Sequence, residues 1–144
     1  VGRVWSLARA KDLDIQPLVI DLTRPSPAVG WCNEECSSFL DRARGSFDTV
    51  LMLAVIHHLL VTERIPLSEI LGLAYELTTD VLIIEFILPS DPMFKLITRG
   101  RDQLHEDLTI EHFEKSALPS FEIIRSSRLG DSDRWIYTLK KRFA

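Results

Sequence analysis

The side chains best suited to chemistry in this chain stand where its apolar runs end. His57 and His58 follow the run FDTVLMLAVI, Asp21 nearly closes IQPLVIDL, and Glu85 interrupts DVLIIEFIL between Ile84 and Phe86. An imidazole titrates near neutrality, so a histidine at the rim of an apolar segment suits a proton acceptor. A carboxylate among isoleucines and phenylalanine needs water or a partner to stay charged, and such groups gather at functional sites. Plainer roles are open to the same residues. A histidine after a strand can simply cap the next turn, and Asp21 can simply start the turn DLTRP with its own side chain. Cys32 and Cys36 in WCNEEC would make a zinc set with the two histidines. Adjacent histidines do not readily both reach one ion, however, and the C-x3-C spacing is loose. Two reduced thiols and no metal is the reading adopted.

These residues need elements to hold them, and the pattern alternates. VGRVWSLARAKDL reads as a helix with Val4, Leu7, Ala8 and Ala10 inward. IQPLVIDL reads as a strand, TRPSPAVGW as a loop, and NEECSSFLDRARG as a helix with Gly45 past its end. FDTVLMLAV and DVLIIEFIL are continuous apolar runs of strand length, the kind found in parallel strands covered on both faces. Between them PLSEILGLAYELT carries a stripe of Leu67, Ile70, Leu71, Ala74 and Leu77, with Pro66 in its first turn. Helices at DPMFKLITRG and LTIEHFEKSAL follow, the second capped by Thr109. SFEIIRSSRL and DRWIYTLKKR close the chain as a hairpin. Strands are expected near 17–22, 48–55, 80–87, 121–128 and 133–141. Strands alternating with helices mean a parallel sheet with right-handed crossovers. Ligands of such sheets bind at the carboxyl ends of the strands, where Asp21, His57, His58 and Glu85 would share one edge.

Composition excludes other classes. The 144 residues are 46% hydrophobic and 26% charged with a net charge of −4, enough for one domain with a core. That charge offers no general attraction to nucleic acid or an anionic membrane, and no basic run appears. No apolar stretch is long enough to span a bilayer and the first residues do not read as a signal peptide, so a cytoplasmic location is expected.

FDTVLMLAVIHHL resembles the fourth-strand motif of class I S-adenosylmethionine-dependent methyltransferases, an F-D-x-V stretch followed by V-L-x-H or V-L-H-H. Asp21-Leu22 is similar to the acidic-apolar pair after that family's third strand. DVLIIEF looks like its fifth strand, LTIEHFEKSALPSFEIIRS like the late helix leading into strand six, and DRWIYTLKKR like the antiparallel strand seven. The likeness is greatest to small-molecule methyltransferases, including nodulation-type proteins. It implies S-adenosyl-L-methionine as cofactor and a small-molecule acceptor. It puts Asp21 and Leu22 at the adenine, and Met52 and Leu53 along the cofactor's backbone side. His57 and Glu85 become the catalytic candidates. His58 matches the more regular histidine, which makes it substrate-side or structural. If strand alternation continues through the pair, His58 turns in and His57 stays open on the side of Glu85.

The departures shape the expectation. The family's glycine-rich first turn and the ribose-binding acid after strand two have no counterpart, and the six glycines form no G-x-G. The expected fold is therefore α/β: a Rossmann-like methyltransferase sheet in three α/β/α layers, mostly parallel with an antiparallel C-terminal hairpin, lacking strands one and two. Residues 1–144 are read as a single domain, the C-terminal part of a methyltransferase, inactive alone. A second copy or a missing N-terminal segment would cover the open sheet edge. The alternative is a non-catalytic α/β interaction module or one half of a split enzyme.

Overall fold

The two apolar runs become neighbouring parallel strands, β1 (Phe47–Met52) and β2 (Thr78–Ile87), in register from Thr49 opposite Val81 to Met52 opposite Ile84. Strands β3 (Phe121–Arg128) and β4 (Arg134–Lys141) form the expected closing hairpin, and β4 inserts beside β2 to give the order β1-β2-β4-β3. This computed structural model describes residues 1–143, with Asp102 described by its backbone alone. The chain, which its sequence reads as one domain, divides into two compact units, Val1–Asp41 and Arg42–Ala144.

In the larger unit, helix α4 (Leu67–Leu77) is the crossover between the parallel strands, and it buries the stripe Leu67, Ile70, Leu71, Ala74 and Leu77. Each buried leucine or isoleucine stabilises by roughly 1.5–3 kcal/mol. Lys141 at the end of β4 donates to the carbonyls of Tyr75 (2.7 Å) and Thr78 (2.8 Å), satisfying acceptors that the helix end leaves open. Asp91 caps α5 (Pro92–Thr98) by accepting from the Met93 and Phe94 N–H groups, and Thr109 caps α6 (Ile110–Ala117) through the His112 N–H. Phe113 of α6 lies between Phe86 of β2 (centroids 4.7 Å apart) and Tyr137 of β4 (4.7 Å). That stack seals the inner face of the sheet, with Leu82, Ile84 and Leu139 wholly buried beside it.

Several expectations need correction. The sheet is not mostly parallel by pairing: β2–β4 and β3–β4 are antiparallel and only β1–β2 is parallel. Nor does this unit have three layers. Its helices bury the face of Met52, Leu82, Ile84 and Leu139, while Leu51 (59% exposed) and Ile124 (56%) stand open on the strands and Val81, Ile83 and Ile136 are only partly covered. The long apolar runs made both faces oily, but that alone does not supply a second helical layer.

The smaller unit holds α1 (Gly2–Ala10), a 3-10 turn at Trp31–Asn33 and the start of α2 (Phe39–Ala43). Of the expected inner face of α1 only Ala8 is buried. Residues 15–22 form no strand. A strand exists through a partner's ladder, and this segment has none; Pro17 withholds an N–H, and Leu18 and Val19 stay exposed. The helix expected over 33–45 shrinks to Phe39–Ala43, begun by Ser38, whose hydroxyl accepts from the Asp41 N–H. Cys36 instead pairs with Val29 in an isolated bridge, and both cysteines are exposed free thiols.

Candidate functional site

The chain leaves β1 through Leu53, Ala54 and Val55 before α3 (Ile56–Val61) begins. Ala54 takes φ = 54°, a left-handed conformation that costs a residue with a Cβ roughly 1–2 kcal/mol. What holds it is across the sheet. Glu85 follows Ile84, the register partner of Met52, and its Oε2 accepts the Ala54 N–H at 2.6 Å. Arg134, the first residue of β4, lies 3.5 Å from Glu85 through Nη1 and grips Asp91 through Nε (2.9 Å) and Nη2 (3.3 Å). Asp91 in turn caps α5. One guanidinium thus ties together the turn after β1, the segment after β2 and the start of β4. Burial pushes the Asp91 carboxyl up, but the hydrogen bonds from Arg134, Met93 and Phe94 outweigh it and hold it below the ordinary range.

His57 sits beside this network, 6% exposed, with Nδ1 buried and without a partner among the described residues. Burial, and then the adjacent His58, lowers its pKa, so it is neutral at pH 7. The two rings lie 4.2 Å apart, tilted by 39°. His58 is the exposed member. The expected orientation is therefore reversed, because the pair lies on a helix that starts at Ile56 rather than on a continuing strand. Helical periodicity of 3.6 then turns His57 in and His58 out.

The other expected residues do not all assemble. Met52 is 3% exposed and part of the core, whereas Leu53 is 48% exposed just beyond the strand. Asp21 and Leu22 lie in the smaller unit. Asp21 takes the Thr23 N–H (2.9 Å) and hydroxyl (2.7 Å) on Oδ1 and the Arg24 Nε (3.3 Å) on Oδ2. It starts a turn with its own side chain, and the Thr23 hydroxyl is the main cause of its lowered pKa. Sequence reasoning missed Asp91 and Arg134 as members of the site. Asp91 carried a helix-start signal in its Asp-Pro pair; Arg134 carried none, because its partners lie 43 and 49 positions away.

No group of three or more metal-ligating side chains comes together among the described residues. Among them, too, no helix is long and apolar enough to cross a membrane. As for S-adenosylmethionine, the residues present do not by themselves fit it. Met52 is sealed in the core, both Asp21 oxygens take local donors, and the chain has no glycine-rich turn to receive the methionine end.

A mixed α/β sheet, with ionisable groups at the carboxyl end of its parallel pair, has the character of a Rossmann-like fold. No family model matches the chain. It is 30% identical over 125 residues to the nodulation protein NoeA of Rhizobium meliloti (strain 1021), an alignment taking in 87% of this chain and 26% of NoeA. The chain thus spans about a quarter of the length of the curated relative it matches. In structure it is similar to the PH0226 protein from Pyrococcus horikoshii OT3, with a TM-score of 0.58 and 12% identity over 99% of this chain and 66% of that one, a likeness of fold alone. The comparisons thus show a chain similar in sequence to one stretch of a nodulation protein and similar in fold to the PH0226 protein.

Proposed function

We propose that this chain forms part of a cytoplasmic S-adenosylmethionine-dependent methyltransferase that acts on a small-molecule acceptor. The observation that carries the reading is the turn after β1. The family-like stretch Phe47–Leu59 ends in a left-handed Ala54 fixed by Glu85, beside an open Leu53. Methyl transfer from a sulfonium is an in-line displacement, so rigid alignment at the rim of the sheet is the main requirement of the protein. In this reading Glu85 positions the turn, since its carboxylate is engaged by Ala54 and Arg134. His57 is a neutral, buried imidazole behind the site, and the exposed His58 is the substrate-side group.

A further strand-forming segment is proposed to cover the free edge of β1 and to supply the glycine turn and the ribose acid. Similarity to a protein about four times as long as the matched region supports this. The experiment is methyl transfer from radiolabelled S-adenosylmethionine, assayed with the product of the complete reading frame. Label should reach a small-molecule fraction, and His58→Ala should lower turnover by about 10²-fold if His58 takes the acceptor's proton. The isolated chain should bind the cofactor no tighter than millimolar. A low-micromolar Kd for it, about −8 kcal/mol, would show that the absent turn is not needed. A complete protein that binds the cofactor but never transfers a methyl group would favour the non-catalytic module.

A further inference from the structure

A hollow of about 360 Å³ opens in the larger unit where the loop after α3, the start of α4 and the segment between α5 and α6 meet. Its walls are apolar: Leu60, Val61, Leu67 and Leu108 are buried, and Leu104 stands 70% exposed at the side. Arg64, Arg101, His105 and His112 surround it, and Asp107 is its single lining carboxylate among the described residues. Among the described residues neither arginine has a carboxylate within ion-pair distance. In a chain of net charge −4, two guanidinium groups beside one hollow, without a carboxylate partner among the described residues, run against the average.

The basic groups are also placed. Arg101 is held by its Nε, which donates to the Thr98 carbonyl at 3.2 Å. His105 stands edge-on to the buried Phe94, centroids 5.7 Å apart. Arg64 adopts φ = 57° in the loop after α3, a left-handed conformation common just past a helix end. A planar guanidinium matches the two oxygens of a carboxylate or the face of a phosphate, and its attraction strengthens beside an apolar wall that excludes water.

We propose that this hollow binds a small amphipathic anion. Its apolar body would lie against Leu60, Val61 and Leu108, and its carboxylate or phosphate head would be taken by Arg64 and Arg101. The proposal is independent of the methyl-transfer reading, since it uses neither the turn at Ala54 nor either histidine of α3.

The test is a methyl-observed NMR titration of the chain with hexanoate, hexyl phosphate and hexanol. At least one of the two anions should shift the Leu60, Leu104 and Leu108 methyl signals saturably at millimolar concentration, with hexanol about tenfold weaker or worse. The tighter of the two anions identifies the head group. The double variant Arg64→Gln/Arg101→Gln should weaken that anion by about tenfold or more while its melting temperature stays near that of the parent. Should the variant fail to fold, a salt series on the parent reads the same contact: added salt should weaken the anion and leave hexanol unchanged. Absence of shifts with both anions would overturn the proposal. So would hexanol binding as tightly as the anions, or anion binding indifferent to both the arginines and salt.

Discussion

Arg134→Gln tests whether one guanidinium holds the sheet's carboxyl edge together. Its two partners are nearly buried, the side chains of Glu85 at 8% and Asp91 at 4% exposed, while Arg134 itself is 29% exposed. Removing one member of a wholly buried charge pair costs about 3–5 kcal/mol, because the remaining charge is left in a poor medium. Water reaches Arg134, and Ala54, Met93 and Phe94 still donate N–H groups to the stranded carboxylates, so a loss of about 2–4 kcal/mol is expected. For a unit of this size that lowers the melting temperature by roughly 10–20 °C. Urea unfolding followed by circular dichroism reads the loss. Adding Asp91→Asn should return part of it, since asparagine still caps α5 and removes one stranded charge. The pH dependence has a definite sign. The folded-state pKa of Asp91 is depressed, so its stabilisation is present above the unfolded value and lost as pH falls through the folded one. The penalty of Arg134→Gln should therefore be full at pH 7 and shrink below about pH 4. A loss under about 0.5 kcal/mol, typical of an exposed pair, would refute the argument.

Three other perturbations probe neighbouring features. Ala54→Gly should stabilise the chain by up to about 1 kcal/mol in urea unfolding, since glycine adopts the left-handed turn without a Cβ clash and keeps the N–H to Glu85; a destabilised variant would mean that the turn is not strained. The depressed pKa of His57 means that the unfolded chain binds a proton as pH falls below about 6.5 before the folded one does, so stability should rise with pH through that window. His57→Leu should flatten this slope, and an unchanged slope would assign it to another group. Phe113→Ala should cost about 3–5 kcal/mol by emptying the stack between Phe86 and Tyr137, and a melting temperature within a few degrees of the parent would contradict that packing.

Much of the fold was legible because it is written locally. The runs at 47–52 and 78–87 carry enough β-branched and aromatic residues to read as strands, and the stripe of α4 repeats at helical spacing. Asp91 and Thr109 are side-chain caps, decided within three residues. The segment 15–22 was not legible for the complementary reason: its composition suits a strand, but only a partner makes one. The histidines failed differently. Their place after an apolar run was plain, but whether His57 or His58 turns inward depends on where α3 begins, and the turn at Ala54 sets that start.

The sequence by itself thus determined most elements of the larger unit, the family-like motif and the place of His57, His58 and Glu85 at the ends of the apolar runs. Only the tertiary structure decided what those groups do. Glu85 became the anchor of a turn rather than a free base, and Arg134 joined it and Asp91 across 49 and 43 positions of chain. The physical reason is range. Side-chain periodicity and capping act over a few residues, whereas an ion pair requires three strands and a helix start to be packed before its atoms meet.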